Sequence, residues 1–287
     1  MRFRGYVGRV TRRTCWGAVG AVALFATCLA LALVPTVSAE ILPPIVPGSH
    51  EPRPAVVRQG VWYLRDTTTS GVADHTFQYG DPGDVPMFGD WDGNGTATPA
   101  VFRNGVWYLR ESDTTGVADI TFVFGQPADT PIVGDWNGDG VETPGVVRDG
   151  VWYLRNSNTT GVADITFVYG VPGDRVIAGD WDGNGTATPG VARAGDDGGV
   201  PNGSGTTCGG CPFRWLERNE NSTGLADAEF DCGNDKPVPG AWGHAARDEC
   251  GWVIGNEWKV YAPGGGFTTF TFGDPGDTAL AWRLPPT

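Results

Sequence analysis

Histidine is scarce in this sequence: His50, His75 and His244 are its three copies, at unequal places in the chain. So small a supply leaves little room for histidine-based nucleophilic catalysis, and neither a nucleophile elbow nor a metalloprotease helix is present. Basic side chains are short too, with 20 Lys and Arg against 33 Asp and Glu. That balance argues against nucleic acid and anionic membranes as partners. Long apolar runs are confined to Trp16–Val34, so no later segment is expected to enter a membrane.

The first 39 residues read as a targeting segment. Arg2, Arg4, Arg9, Arg12 and Arg13 precede the apolar run, and Val37-Ser38-Ala39 offers small residues for a signal peptidase. Cleavage after Ala39 and a secreted product are expected, with an uncleaved signal anchor as the alternative. The Arg12-Arg13 pair leaves both general and twin-arginine export open. Removing five arginines leaves 15 basic against 33 acidic side chains, a formal charge of −18. Residues 40–54 are Pro-rich and lack periodicity, as an extended linker does.

Cysteine is sparse as well. Cys15 and Cys28 fall in the targeting segment, leaving Cys208, Cys211, Cys232 and Cys250. An even number in an exported chain predicts disulfides. Zinc would want a second close pair beside Cys208 and Cys211, and Cys232 and Cys250 stand far apart. Hairpin geometry favours Cys211 with Cys232 and leaves Cys250 without an evident partner.

What the chain has in abundance is a repeat. Gly134-Asp135-Trp136-Asn137-Gly138-Asp139-Gly140 has close copies beginning at Gly89 and Gly179, each displaced by 45 residues. Around it stand four short β-branched and aromatic runs, called here strands a to d, bounded by Gly, Asp, Asn or Pro. Four strands in about 45 residues make one antiparallel propeller blade. Tryptophan counts the blades: Trp91, Trp136, Trp181, Trp242 and Trp282 with strand a, and Trp62, Trp107, Trp152, Trp215 and Trp258 with strand c. Strand d repeats Phe77, Phe122, Phe167, Phe230 and Phe270.

The fold class predicted is therefore all-β, a five-bladed β-propeller over residues 55–287. Its first repeat lacks strand a, and an orphan strand a, Thr278–Trp282, follows the last. The C-terminal strand is expected to complete blade one and close the ring, leaving no exposed edge. Blade four carries an insertion within 194–212, rich in Gly and Asp.

The repeated loops suit a hard cation. Oxygen-bearing residues alternate through each turn: Asp90, Asp92, Asn94, Thr96 by its carbonyl, and Thr98. The second set is Asp135, Asn137, Asp139, the carbonyl of Val141, and Thr143. The third is Asp180, Asp182, Asn184, the carbonyl of Thr186, and Thr188. Up to three Ca²⁺ sites follow, with dissociation constants of about 10⁻⁴–10⁻³ M as in extracellular modules. Asn-Gly and Asp-Gly also form hairpin turns without metal.

The aromatic-Gly pairs Tyr79-Gly80, Phe124-Gly125, Tyr169-Gly170 and Phe272-Gly273, followed by these loops, resemble the FG-GAP/VCBS type of repeat of integrin α heads and secreted bacterial proteins. The chain departs from it at Thr98, Thr143 and Thr188, where the family usually has an acid, and in having five blades. The resemblance implies cation loops that strengthen blades on the a–b face, with partners on the opposite face. That face would carry the 194–212 insertion and the d–a loop acids Asp81, Asp84, Asp129, Asp174, Asp274 and Asp277. A monomeric adhesion or binding module for an extracellular glycan or protein is the leading expectation. A polysaccharide hydrolase or lyase using paired acids, and a multivalent five-bladed lectin, are the alternatives.

Overall fold

The computed structural model describes residues 52–194, 213–233, 236–242, 247–262 and 265–283. The targeting segment, nearly all of the linker, most of the insertion with Cys208 and Cys211, His50 and His244 lie outside the described residues.

Among the described residues, twenty strands form five four-stranded antiparallel sheets. β1 (Arg53–Arg58), β2 (Val61–Leu64) and β3 (His75–Gln78) are strands b, c and d of blade one. Blade two holds β4 (Val85–Gly89), β5 (Thr98–Arg103), β6 (Val106–Leu109) and β7 (Ile120–Val123). Blade three holds β8 (Thr130–Gly134), β9 (Thr143–Arg148), β10 (Val151–Leu154) and β11 (Ile165–Val168). Blade four holds β12 (Arg175–Gly179), β13 (Thr188–Ala194), β14 (Phe213–Glu217) and β15 (Ala228–Asp231). Blade five holds β16 (Lys236–Pro237), β17 (Gly251–Ile254), β18 (Glu257–Tyr261) and β19 (Phe267–Thr271). β20 (Thr278–Trp282) pairs with β1, Val57 opposite Thr278 and Arg53 opposite Trp282, so the last strand completes blade one.

Burial follows position in the blade. β5 and β9 are buried on both faces over their first five residues, β6 and β10 alternate, and β7 and β11 bury one residue each. The alternating strands turn Trp62, Trp107 and Trp152 inward, all fully buried. Trp62 stacks on Phe77 with ring centroids 5.8 Å apart, and its indole N–H donates to the Tyr79 carbonyl at 2.8 Å. Tryptophan thus places its large apolar area in the blade core while its one donor is satisfied.

A second tryptophan follows strand a. Trp136 folds back over Gly134, where an added Cβ would sit 2.8 Å from its ring. Glycine at that strand end makes room for the ring two residues later. Trp282 departs from this pattern. The pairing of Arg53 with Trp282, against Thr98 with Gly89, puts it at the glycine position, with Arg283 in the place of Asp90. It is a fifth strand-a tryptophan by count, not by register.

The disulfide joins Cys232 to Cys250, not to Cys211. Blade five is foreshortened: its strand a has two residues where β4, β8 and β12 have five. Cys250, just before β17, lies 6.4 Å (Cα to Cα) from Cys232, just after β15, across the junction of blades four and five. Both sulfurs are buried against Trp215 and Trp252.

Candidate functional site

The three a–b loops have one internal geometry. Asp90 accepts from the Asn94 N–H at 3.0 Å and the Gly95 N–H at 2.7 Å. Asp92 accepts from Asn94, whose side-chain oxygen accepts from the Thr96 N–H at 2.8 Å. Asp135 and Asp180 repeat the first pair on Gly140 and Gly185, with Asp139 and Asn184 closing their turns. Gly93, Gly95, Gly138, Gly140, Gly183 and Gly185 all have positive φ, so the turn needs glycine there. Positions 1, 3 and 5 are thus linked around one short backbone arc. The ninth-position threonines are apart from it. Thr98, Thr143 and Thr188 are buried, and their hydroxyls donate to the carbonyls of Gly89, Gly134 and Gly179 at 3.3–3.4 Å.

The donor set that remains is hard and oxygenous, two carboxylates and one amide per loop, which suits Ca²⁺. Burial raises the Asp90 carboxyl, and Asp92 and Glu142 raise it further, so negative charge is crowded there. No group of three or more His, Cys, Asp or Glu side chains able to hold a metal stands together among the described residues.

The same loops tie blade to blade. Ala97, Glu142, Ala187 and Asp248 each donate a backbone N–H to the first loop residue of the preceding blade, at Arg283, Asp90, Asp135 and Asp180 respectively (2.7–3.2 Å). Two of these four positions carry acids where the siblings carry alanine. Glu142 also accepts from the Asp90 N–H and pairs with Arg283, and Asp248 accepts from the Asp180 N–H. Burial pushes the Asp248 carboxyl up to about 6. Glu217 departs from its siblings Leu64, Leu109 and Leu154 and is 7% exposed. Burial pushes it up to about 8, with Arg247 lowering it and Asp248 raising it. Sequence reasoning missed this group because its members sit in different blades. The signal was present: each is a charge at a position where the other repeats have a different residue.

The opposite face is organised by arginine. Arg58, Arg103, Arg148 and Arg193 end strand b and each makes a two-pronged bond to a d–a loop aspartate: Asp277, Asp84, Asp129 and Asp174. Those aspartate side chains are 1–5% exposed, and the Oδ2 that accepts from the arginine Nη2 also accepts a backbone N–H that closes its loop. Burial pushes the Asp84 carboxyl up, but the Arg103 guanidinium and the Asp81 N–H bring it below the usual range. Four of the six d–a acids expected on a partner face are therefore committed to internal pairs. Asp81 and Asp274 stay largely exposed and touch Arg103 and Arg58 at 2.7 Å.

Between these pairs lie two polar clefts, of about 240 Å³ beside Arg58 and about 400 Å³ beside Arg103. Residues of the 194–212 insertion beyond Ala194 lie outside the described residues. No model of a known protein family matches this chain, and no curated protein matches it.

Proposed function

We propose that this chain is an exported binding module whose partner is a glycan, carried on a five-bladed propeller stiffened by Ca²⁺ at up to three a–b loops. The observation that carries the reading is the pair of clefts on the b–c and d–a side. Each has room for one or two sugar rings. Each is walled by planar hydrogen-bonding groups on a rigid scaffold, the setting in which binding residues are held in place. The resemblance of the loops to FG-GAP/VCBS repeats supports the cation and the exported, adhesive role. The net acidity disfavours nucleic acid and anionic membranes.

Depletion from solution by insoluble cellulose, chitin, xylan and mannan tests this reading. Retention on at least one is expected, and failure on all four would count against a glycan partner.

Glu217 and Asp248 support a second reading, a polysaccharide hydrolase. Their carboxyls are pushed up to about 8 and about 6, the divergence expected of an acid and a base. Glu217 would stay protonated at neutral pH, the state a general acid requires. Release of reducing ends, lost in Glu217→Gln, separates the hydrolase from the binder.

A further inference from the structure

The two clefts repeat each other with a displacement of one blade. Arg58, Gln59 and Asp84 of the first correspond to Arg103, Asn104 and Asp129 of the second, and Asp81, Gly83 and Asp84 line both clefts. We infer that these clefts are two saccharide subsites selective for uncharged, hydroxyl-rich units over anionic ones. The inference rests on the glycan-binding reading and assigns its site and chemical class.

Each cleft offers the groups a sugar requires. The donor is a guanidinium whose Nε and Nη2 are held by a buried aspartate at 2.6–2.9 Å, which leaves its Nη1 hydrogens out of that pairing. Its plane is fixed further by the Tyr63 or Tyr108 ring, 5.3 Å from the guanidinium carbon. A donor fixed before binding loses little freedom when it bonds a hydroxyl. The acceptor is Asp81, a single residue that lines both clefts, with 69% of its side chain exposed. An exposed amide, Gln59 or Asn104, supplies a donor and an acceptor together. Pro82 and Pro127 in the second cleft present apolar faces to sugar C–H groups.

The amides stand at the first residue of tight b–c turns, with φ of 53° and 52°. Asparagine tolerates that region, but glutamine has no local reason to adopt it. Keeping a long amide there, where glycine would relieve the backbone, points to a use for the side chain. The third blade puts Asp149 at this position, and its d–a loop has Gln126 where the first has Asp81. The third junction therefore has an acid in place of the amide at its b–c turn and an amide in place of the exposed acid.

Charge sets the selectivity. In the second cleft Asp81 and Asp84 both pair with Arg103 while Asp129 is taken up by Arg148, which leaves one carboxylate in excess. A uronate or sulfated unit would meet repulsion, and an uncharged one would not.

The test is calorimetric titration of the full chain with cellohexaose, chitohexaose, xylohexaose, mannohexaose and a galacturonate hexamer, in 150 mM salt. At least one uncharged hexamer is expected to bind at two sites per chain, and the galacturonate at least tenfold more weakly. Asn104→Gly is expected to leave one site, and Gln59→Gly with Asn104→Gly to leave none, with melting curves unchanged because glycine suits both turns. Undiminished binding by the double glycine variant would overturn the assignment of the clefts and leave the glycan-binding reading standing. A preference for galacturonate would overturn the chemical class alone. Binding of none of the hexamers would overturn this inference, and the polysaccharide depletion assay then decides whether the glycan reading falls with it.

Discussion

Replacing Glu217 with glutamine should remove one segment of the stability-against-pH curve and leave the rest in place. Glu217 occupies a core position where three sibling blades carry leucine, and burial pushes its carboxyl up to about 8. An acid whose folded pKa is raised contributes stability that is complete below its unfolded value and is lost as pH rises through the folded value. For Glu217 that window runs from about 4.5 to about 8, at about 1.4 kcal/mol per unit of pH in its middle. Asp113 and Asp248 are raised to about 6, so their contributions are lost in the lower part of the window. The interval from pH 6 to 8 therefore isolates Glu217. Across it the wild type should lose about 2 kcal/mol, a sizeable part of a typical folding free energy. Glutamine keeps the shape and the hydrogen-bonding capacity without titrating. Urea unfolding followed by tryptophan fluorescence, at half-unit steps of pH, reads the difference. The wild-type midpoint should fall from pH 6 to 8 while the Glu217→Gln midpoint stays level. Parallel curves would refute the argument that this carboxyl enters the core as an acid.

Three further outcomes follow from the repeat. Asn158 and Asn221 donate their side-chain N–H groups to backbone carbonyls of two adjacent blades, Trp91 with Glu142 and Trp136 with Ala187, at 3.0–3.3 Å. Asp113 stands at the corresponding place and, ionised, has no proton to donate. Asp113→Asn should stabilise the protein by about 1–3 kcal/mol at pH 7 and flatten its pH dependence between 4 and 6, as urea midpoints would report. Gly134→Ala would put a methyl 2.7 Å from the Ala187 Cβ and 2.8 Å from the Trp136 ring. It should cost about 1–3 kcal/mol in the same assay. Replacing Cys232 and Cys250 together by alanine opens a crosslink spanning 18 residues and should cost about 3 kcal/mol, measured under non-reducing conditions.

Much of the fold was legible because the repeat displays each structural requirement several times. The tryptophans of strand c, the phenylalanines of strand d and the orphan last strand fixed blade number and ring closure, since each has one packing role repeated five times. What was not legible falls where one blade differs. The pairing of Cys232 with Cys250 crosses from blade four to blade five, and hairpin geometry within one blade does not show it. Trp282 fits a count of tryptophans but lies at a glycine register, which only strand pairing displays. The d–a acids read as an open acidic face because their arginine partners stand 19 residues away on strand b. That spacing is constant in three blades and could have been found. The group around Glu142, Asp248 and Arg283 joins residues of blades three, five and one, and only the closed ring assembles it.

The proposed function gives one side of the ring loops that stiffen it and the other side clefts that bind, and the three a–b loops are where that division is most exposed to test. The direct measurement is thermal melting of the wild type and of Asp90→Ala/Asp135→Ala/Asp180→Ala, each in chelator and in 10 mM Ca²⁺. A cation bound only by the folded state, at a dissociation constant of about 10⁻⁴–10⁻³ M, adds about 1.4–2.7 kcal/mol per site at that concentration. The account predicts that Ca²⁺ raises the wild-type midpoint by several degrees and leaves the triple variant unmoved. A wild-type midpoint that is the same in chelator and in Ca²⁺ would contradict it.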